Sequence, residues 1–100
     1  MTGTEKPRGR SALRARNVRI NNRRTSVKLE PAFWDALETV ARREGTSVND
    51  LCTLVHEKAD GYGLTAAIRV FLLAYGWSGA IGPALAVVPV GDLPPEARSR

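Results

Sequence analysis

From residue 24 the chain alternates. Arg24, Ser26 and Lys28 are polar, and Thr25, Val27 and Leu29 between them form the less polar set. A period of two over six residues predicts a short strand with one buried face. At Pro31 the period changes. Phe33, Leu37, Val40 and Ala41 recur at i, i+4, i+7 and i+8, which predicts an amphipathic helix with Trp34 flanking its stripe. Proline suits the first turn of a helix, where its missing N–H has no intrahelical partner to lose. Arg42 and Arg43 fall in the last turn, where cations favour the helix dipole, and Gly45 is a natural stop.

The stretch "TSVNDL" opens a second helix. Ser47 is a good N-cap, Asp50 completes a capping-box-like pair, and Leu51, Leu54 and Val55 make the apolar face. "DGYG" at 60–63 breaks that helix, and Thr65 is expected to cap a third. In the third, Ile68, Phe71, Leu72 and Tyr75 line one stripe, while Val70, Leu73 and Trp77 lie outside it. A helix apolar on most faces must be buried on most faces, and one small chain offers too little cover.

The flanks read differently. Residues 1–23 are polar, basic and broken by Gly3, Pro7 and Gly9, so they are expected to form a flexible arm. A second reading exists for "NVRINNRR". Val18 and Ile20 alternate with Arg19, and Asn21-Asn22 could form the tight turn of a small hairpin. The folded unit is expected over 24–77. Residues 78–100 are read as an irregular Gly/Pro-containing tail, with 84–90 draped over apolar surface.

Composition bounds this picture. One hundred residues suffice for one small domain, and 43% hydrophobic residues call for a core. A single cysteine, Cys52, excludes an intrachain disulfide and fits a reducing cytoplasm. No apolar leader is visible near residue 1, and "AIGPALAVVPV" at 80–90 is too short and too broken to span a bilayer. A cytoplasmic protein with no membrane partner is therefore expected.

Charge sharpens the expectation. Residues 1–30 carry nine Lys/Arg and two Glu, a balance of +7; residues 31–100 carry six Lys/Arg and eight Asp/Glu, a balance of −2. The excess is nearly all arginine, Arg14, Arg16 and Arg19 among them, and arginine forks well onto phosphate and base edges. A solubilising tail is the plainer account of such an arm; nucleic-acid binding is the functional one.

A lone strand needs a partner for its N–H and C=O groups. With a folded unit of only about 55 residues, marginal by itself, the economical solution is a homodimer whose strands pair antiparallel across a two-fold axis. Val27 and Leu29 would then enter a shared dimer core with Phe33, Leu37, Leu51 and Phe71. Arg24, Ser26 and Lys28, with their symmetry mates, would face outward on a ribbon narrow enough for the DNA major groove.

The segments "RTSVKLEPAFWDALETVARREG", "TSVNDL" and "LTAAIRVFLLAY" together resemble the ribbon-helix-helix (MetJ/Arc-type) family of DNA-binding proteins, in a bacterial subgroup with an extra helix. The resemblance covers about residues 24–75. It implies a mainly α fold, a dimeric transcriptional regulator, and double-stranded DNA as partner. By the same resemblance Arg24, Ser26 and Lys28 hold the base-reading positions. Ser47, with the N–H groups of Val48 and Asn49, holds the phosphate-clamping start of the second helix, and Arg23 is a further phosphate contact. Free N–H groups and the helix dipole give that clamp a physical basis. The minimal family fold has two helices and this chain has three. The second-helix role could therefore fall to 47–58 or to 64–75, which would move the clamp to Thr65. The short turn after Gly45 favours Ser47.

Other chemistry reads as structural. Trp34 is expected in core or interface. Cys52 and His56 are four apart on one helix, but zinc needs three or four ligands and the chain has no other Cys or His. Asp35 and Glu38 fall on a polar helix face with no nucleophile in view, and there is no Gly-rich phosphate loop or serine elbow. No enzyme activity, metal or cofactor is expected. The leading function is sequence-specific regulation of transcription, as repressor or autoregulator, with dimers free to assemble further on DNA. The alternative is an antitoxin-like interaction module whose 80–90 segment holds a small partner protein. An RNA reader built on the arginine arm is disfavoured, because no exposed aromatics lie near it to stack bases.

Overall fold

The partner of the strand at 24–29 lies in the same chain. The computed structural model describes residues 13–91. Strand β1 (Arg14–Ile20) and strand β2 (Arg23–Leu29) form an antiparallel two-stranded sheet, with Arg14 opposite Leu29 and Ile20 opposite Arg23. Asn21 and Asn22 join them, at φ 51° and 65°. Two consecutive left-handed residues are the geometry of a type I′ turn, whose twist matches that of the flanking strands. Asparagine tolerates this region where a β-branched residue does not.

The hairpin corrects the flexible arm as drawn to residue 23: residues 14–20 are a strand. Its ends are held together by only two residues, so pairing within the chain costs little loop entropy. Arm positions up to 12 and tail positions beyond 91 lie outside the described residues. The expectation that β2 first finds its partner in a second copy is corrected in the same way: its described partner is β1.

Helices follow: α1 (Pro31–Glu44), α2 (Val48–Ala59), α3 (Leu64–Ser78) and the short α4 (Ile81–Ala86). In α1 the buried stripe is Trp34, Leu37, Val40 and Ala41, with Phe33 at its edge, a rotation of the expected stripe toward Trp34. Gly45 ends the helix at φ 68°, and its left-handed backbone returns the chain directly to α2. The Ser47 hydroxyl accepts from the Asp50 N–H at 3.0 Å, the capping bond read from sequence. Thr65 does not cap α3. That helix begins at Leu64 with Gly63 as N-cap and no side-chain cap, so Thr65 already lies inside it.

The core is built by one chain. Leu29, Leu37, Leu51 and Phe71 are fully buried and Val27 nearly so. The sequence places these residues in a core shared by two copies; only Phe33 of that set stays half-exposed. The extra cover comes from segments outside 24–77. β1 contributes buried Val18 and Ile20, and the C-terminal segment contributes buried Ala84 and Val88. That segment is no irregular tail over 78–91. After α4 it returns onto the end of α2, where Lys58 Nζ donates to the Val88 carbonyl at 3.3 Å and the Gly91 N–H donates to the Ala59 carbonyl.

Candidate nucleic-acid interface

Residues directly opposite in an antiparallel pair share a face. The register therefore sorts the hairpin's side chains. Val18, Ile20, Thr25, Val27 and Leu29 turn toward the helices, with Arg14, Arg16 and Arg23 on the same parity. The other face carries Ala15, Asn17 and Arg19 opposite Lys28, Ser26 and Arg24. All six are exposed. Arg24, Ser26 and Lys28 thus lie where alternation placed them. Their row of neighbours comes from β1 rather than from symmetry mates.

That face is cationic and polar. Arg19 and Arg24 are opposed, Lys28 stands near the open end, and no acidic side chain shares the six positions. Among the described residues none of these three cations is in an ion pair. The two ion pairs found are Arg16–Glu38 at 3.1 Å and Arg69–Glu30 at 2.7 Å.

The arginines named together in the arm separate by parity. Arg19 is on the outer face. Arg16 turns inward, pairs with Glu38 and lays its guanidinium over the Trp34 ring at 4.5 Å from the centroid. Arg14 follows the same parity, and its carbonyl accepts from Trp34 Nε1 at 2.9 Å. These contacts pin β1 to α1, so Arg14 and Arg16 belong to the fold's frame rather than to a free arm. Arg23 lines a cleft with Ile20, Asn21, Thr25 and His56, on the side of the hairpin away from Arg24.

The start of α2 lies beside the hairpin. The Arg19 N–H donates to Asn49 Oδ1 at 2.9 Å, and the Thr53 hydroxyl donates to the Arg19 carbonyl at 3.5 Å. Backbone groups of an edge strand are thereby satisfied by a helix. Arg19, the turn residues Asn21 and Asn22, Ser47, Asn49, Asp50 and Thr53 line one surface cleft. Ser47 is exposed, and the N–H groups of Val48 and Asn49 stand in the first turn, which has no preceding turn to accept from them. The Asp50 carboxylate sits in the same turn, 3.4 Å from the Thr46 hydroxyl that donates to it, and opposes an anion there.

Two further features bear on assembly. The α3 face left over by the core exposes Leu73 at 58% and Trp77 at 79%. Beside it, Ala32, Phe33, Ala36, Val70, Leu72 and Leu73, with Arg69, line a mostly apolar groove of about 420 Å³ between α1 and α3. Cys52 is fully buried, and burial pushes its thiol up to about 11. His56 is exposed, and no three of His, Cys, Asp and Glu converge among the described residues.

Asn17 and Arg19 join the outer face, which the sequence reading had built from β2 alone, although Val18 and Ile20 carry the same alternation as Val27 and Leu29. The signal for them is the pair Asn21-Asn22, which fixes which strand lies opposite which.

A family model described as a ribbon-helix-helix domain matches residues 13–76. Among solved structures, the chain is similar to an uncharacterized protein from Bordetella pertussis Tohama I. The identity is 37% and the TM-score 0.57, over 88% of this chain and 76% of that one. Comparison with curated proteins gives no match.

Proposed function

The chain belongs to the ribbon-helix-helix family, and on that premise we propose that it is a sequence-specific transcriptional regulator that reads the DNA major groove with the outer face of its hairpin. One observation carries this reading: Arg19 directly opposes Arg24, with Lys28 on the same face and no acid among them. Like charges in register destabilise a hairpin. An anionic partner turns that cost into binding. A two-stranded ribbon also has the width of the major groove.

In this reading Arg19, Arg24 and Lys28 reach base edges, with Asn17 and Ser26 between them as shorter polar contacts. Ser47 and the N–H groups of Val48 and Asn49 hold a phosphate beside the turn, against the adverse charge of Asp50. Arg23, on the parity opposite to Arg24, takes a backbone rather than a base contact in this reading. A second copy covers the apolar α1–α3 groove with Leu73 and Trp77, which suits a family of dimers. Repression or autoregulation, at a site on the nucleoid, is the role this reading assigns to the protein.

The antitoxin-like alternative loses its main support, because the 80–90 segment covers the chain's own core through Ala84 and Val88. The deciding experiment is selection of bound duplexes from a random DNA pool, followed by a footprint. A defined consensus protected in its major groove is the expected result. Recovery of unenriched sequences would reduce the protein to a non-specific cation.

A further inference from the structure

The row of β2 side chains on the parity of the core changes character along its length. Leu29 and Val27 are buried, Thr25 is half-buried and Arg23 is exposed. Across the sheet, Val18 and Ile20 stay buried opposite Thr25 and Arg23. The polar end of the row meets the last turn of α2, where His56 is exposed. Arg23, Thr25 and His56, with Ile20 and the turn residue Asn21, line a cleft of about 450 Å³.

Folding leaves these side chains with donors to spare. Among the described residues, none of Arg23, Thr25 and His56 has a side-chain hydrogen bond or an ion pair. Other arginines on the fold are answered by acids: Arg16 pairs with Glu38 and Arg69 with Glu30. Neighbouring clefts also mix the charges, with Asp35 beside Arg14 and Arg16, and Asp50 beside Arg19. The Arg23 cleft does not. Glu57 and Asp60 are close to His56 in sequence, yet neither lines it.

We propose that Arg23, Thr25 and His56 form a phosphate subsite behind the hairpin turn, separate from the helix start at Ser47. The guanidinium supplies a fork of N–H donors, the threonine hydroxyl one more, and the imidazole an N–H in either protonation state. A carboxylate, with two oxygens, is filled by the fork alone. Three donor side chains around one space suit the several free oxygens of a phosphate. The cleft has room for the ester group that carries it. That phosphate has two sources, the DNA backbone and a free phosphate ester. The first rests on the reading of the outer face given above; the second does not.

His56 is the chain's one histidine, so its ring gives a single NMR reporter inside the cleft. The full-length protein is titrated at fixed pH with inorganic phosphate, and separately with a DNA duplex. Sodium chloride at matched ionic strength is the control. The variants are Arg23→Ala, Thr25→Val, His56→Gln and Arg42→Ala, and the amides of Arg23 and Thr25 report where His56 is replaced. Arg23 and His56 are exposed, and valine suits a strand, so the fold should survive each change. Arg42, exposed in the last turn of α1, controls for net charge.

Phosphate should move the His56 ring and the two amides saturably, while chloride leaves them in place. Affinity should fall about tenfold or more in Arg23→Ala and in His56→Gln, and roughly threefold in Thr25→Val. It should hold in Arg42→Ala. A shift produced by the duplex alone would support the subsite with the DNA backbone as its source, and the same variants should then weaken consensus and scrambled duplexes alike. No shift at His56 with either probe would overturn the proposal. So would equal losses in Arg42→Ala and Arg23→Ala, which would mark a general response to charge. Arg24→Ala keeps the two readings apart, because its effect on base preference stands or falls without the cleft.

Discussion

Arg19 and Arg24 stand directly opposite each other on the exposed face of the hairpin. Neither is in an ion pair among the described residues. An opposed pair of cations costs a hairpin a fraction of a kcal/mol, to about 1. Replacing either one by alanine should leave the free protein as stable as before or slightly more so. DNA affinity should move the other way, by about 1–3 kcal/mol per lost base contact, with relaxed preference at particular site positions. Urea midpoints together with titrations of consensus and scrambled duplexes check both signs. Equal weakening on the two duplexes would move base reading elsewhere.

Ser47 and Asp50 act in opposite directions on a bound phosphate. Ser47→Ala removes the acceptor for the Asp50 N–H. It should cost about 1 kcal/mol of stability and weaken all duplexes alike. Asp50→Asn removes a negative charge from the same turn and should strengthen binding to all duplexes by roughly 2- to 5-fold at low salt, a gain that shrinks as salt rises. Binding isotherms at two ionic strengths make the comparison. An unchanged affinity in Asp50→Asn would place the phosphate away from this helix start.

Trp34 ties the hairpin to the helices through its bond to the Arg14 carbonyl and the guanidinium of Arg16 over its ring. Trp34→Phe keeps an aromatic ring but loses the donor. A loss of about 1–2 kcal/mol is expected. Amide exchange should quicken first at Arg14–Asn17, while the Asn21-Asn22 end, held by α2, stays protected. Uniform acceleration across both strands would show that the hairpin is held as one block.

Glu30 gives the fold a response to acid. The hydrogen bond from Arg69 holds its carboxyl below the ordinary value. A folded pKa below the unfolded one contributes stability that is present above the unfolded value, about 4.5, and lost as pH falls through the folded value. Unfolding midpoints between pH 6 and 3 should therefore decline for the native chain. Glu30→Gln should be less stable at pH 6, and its deficit should vanish toward pH 3. A deficit that persists in acid would mean that Glu30 acts by packing.

Trp77 is the most exposed large apolar side chain on α3, at 79%. It lies outside the chain's own core, so Trp77→Ser should leave the melting temperature of the dilute protein nearly unchanged. Self-association measured by sedimentation should weaken by tenfold or more, the scale of about 1.4 kcal/mol or more for a buried interface tryptophan. An unaltered association constant would clear this face of any part in assembly.

Much of this architecture was legible in local pattern. Alternation at 24–29 marked β2 and separated its two faces. Pro31, Gly45 and the Ser47–Asp50 pair bounded α1 and opened α2, because proline, glycine and capping side chains act through a few neighbouring bonds. The apolar excess of α3 was visible as Leu73 and Trp77 outside its stripe. Partnership between distant segments was not legible. Val18 and Ile20 have the same alternation whether 14–20 is a solvated arm or a strand, and the choice depends on the turn at Asn21-Asn22 and on the contacts of Trp34 and Asn49 with β1. Arg16 and Arg19 are indistinguishable as basic residues three apart. The pleat turns one onto Trp34 and Glu38 and the other into solvent. The 80–90 segment likewise became part of the core only where α2 and α3 offered it a surface. Local interactions specify elements because their entropy cost is small. Pairings across many residues are chosen by the total area that closes, which no short stretch contains.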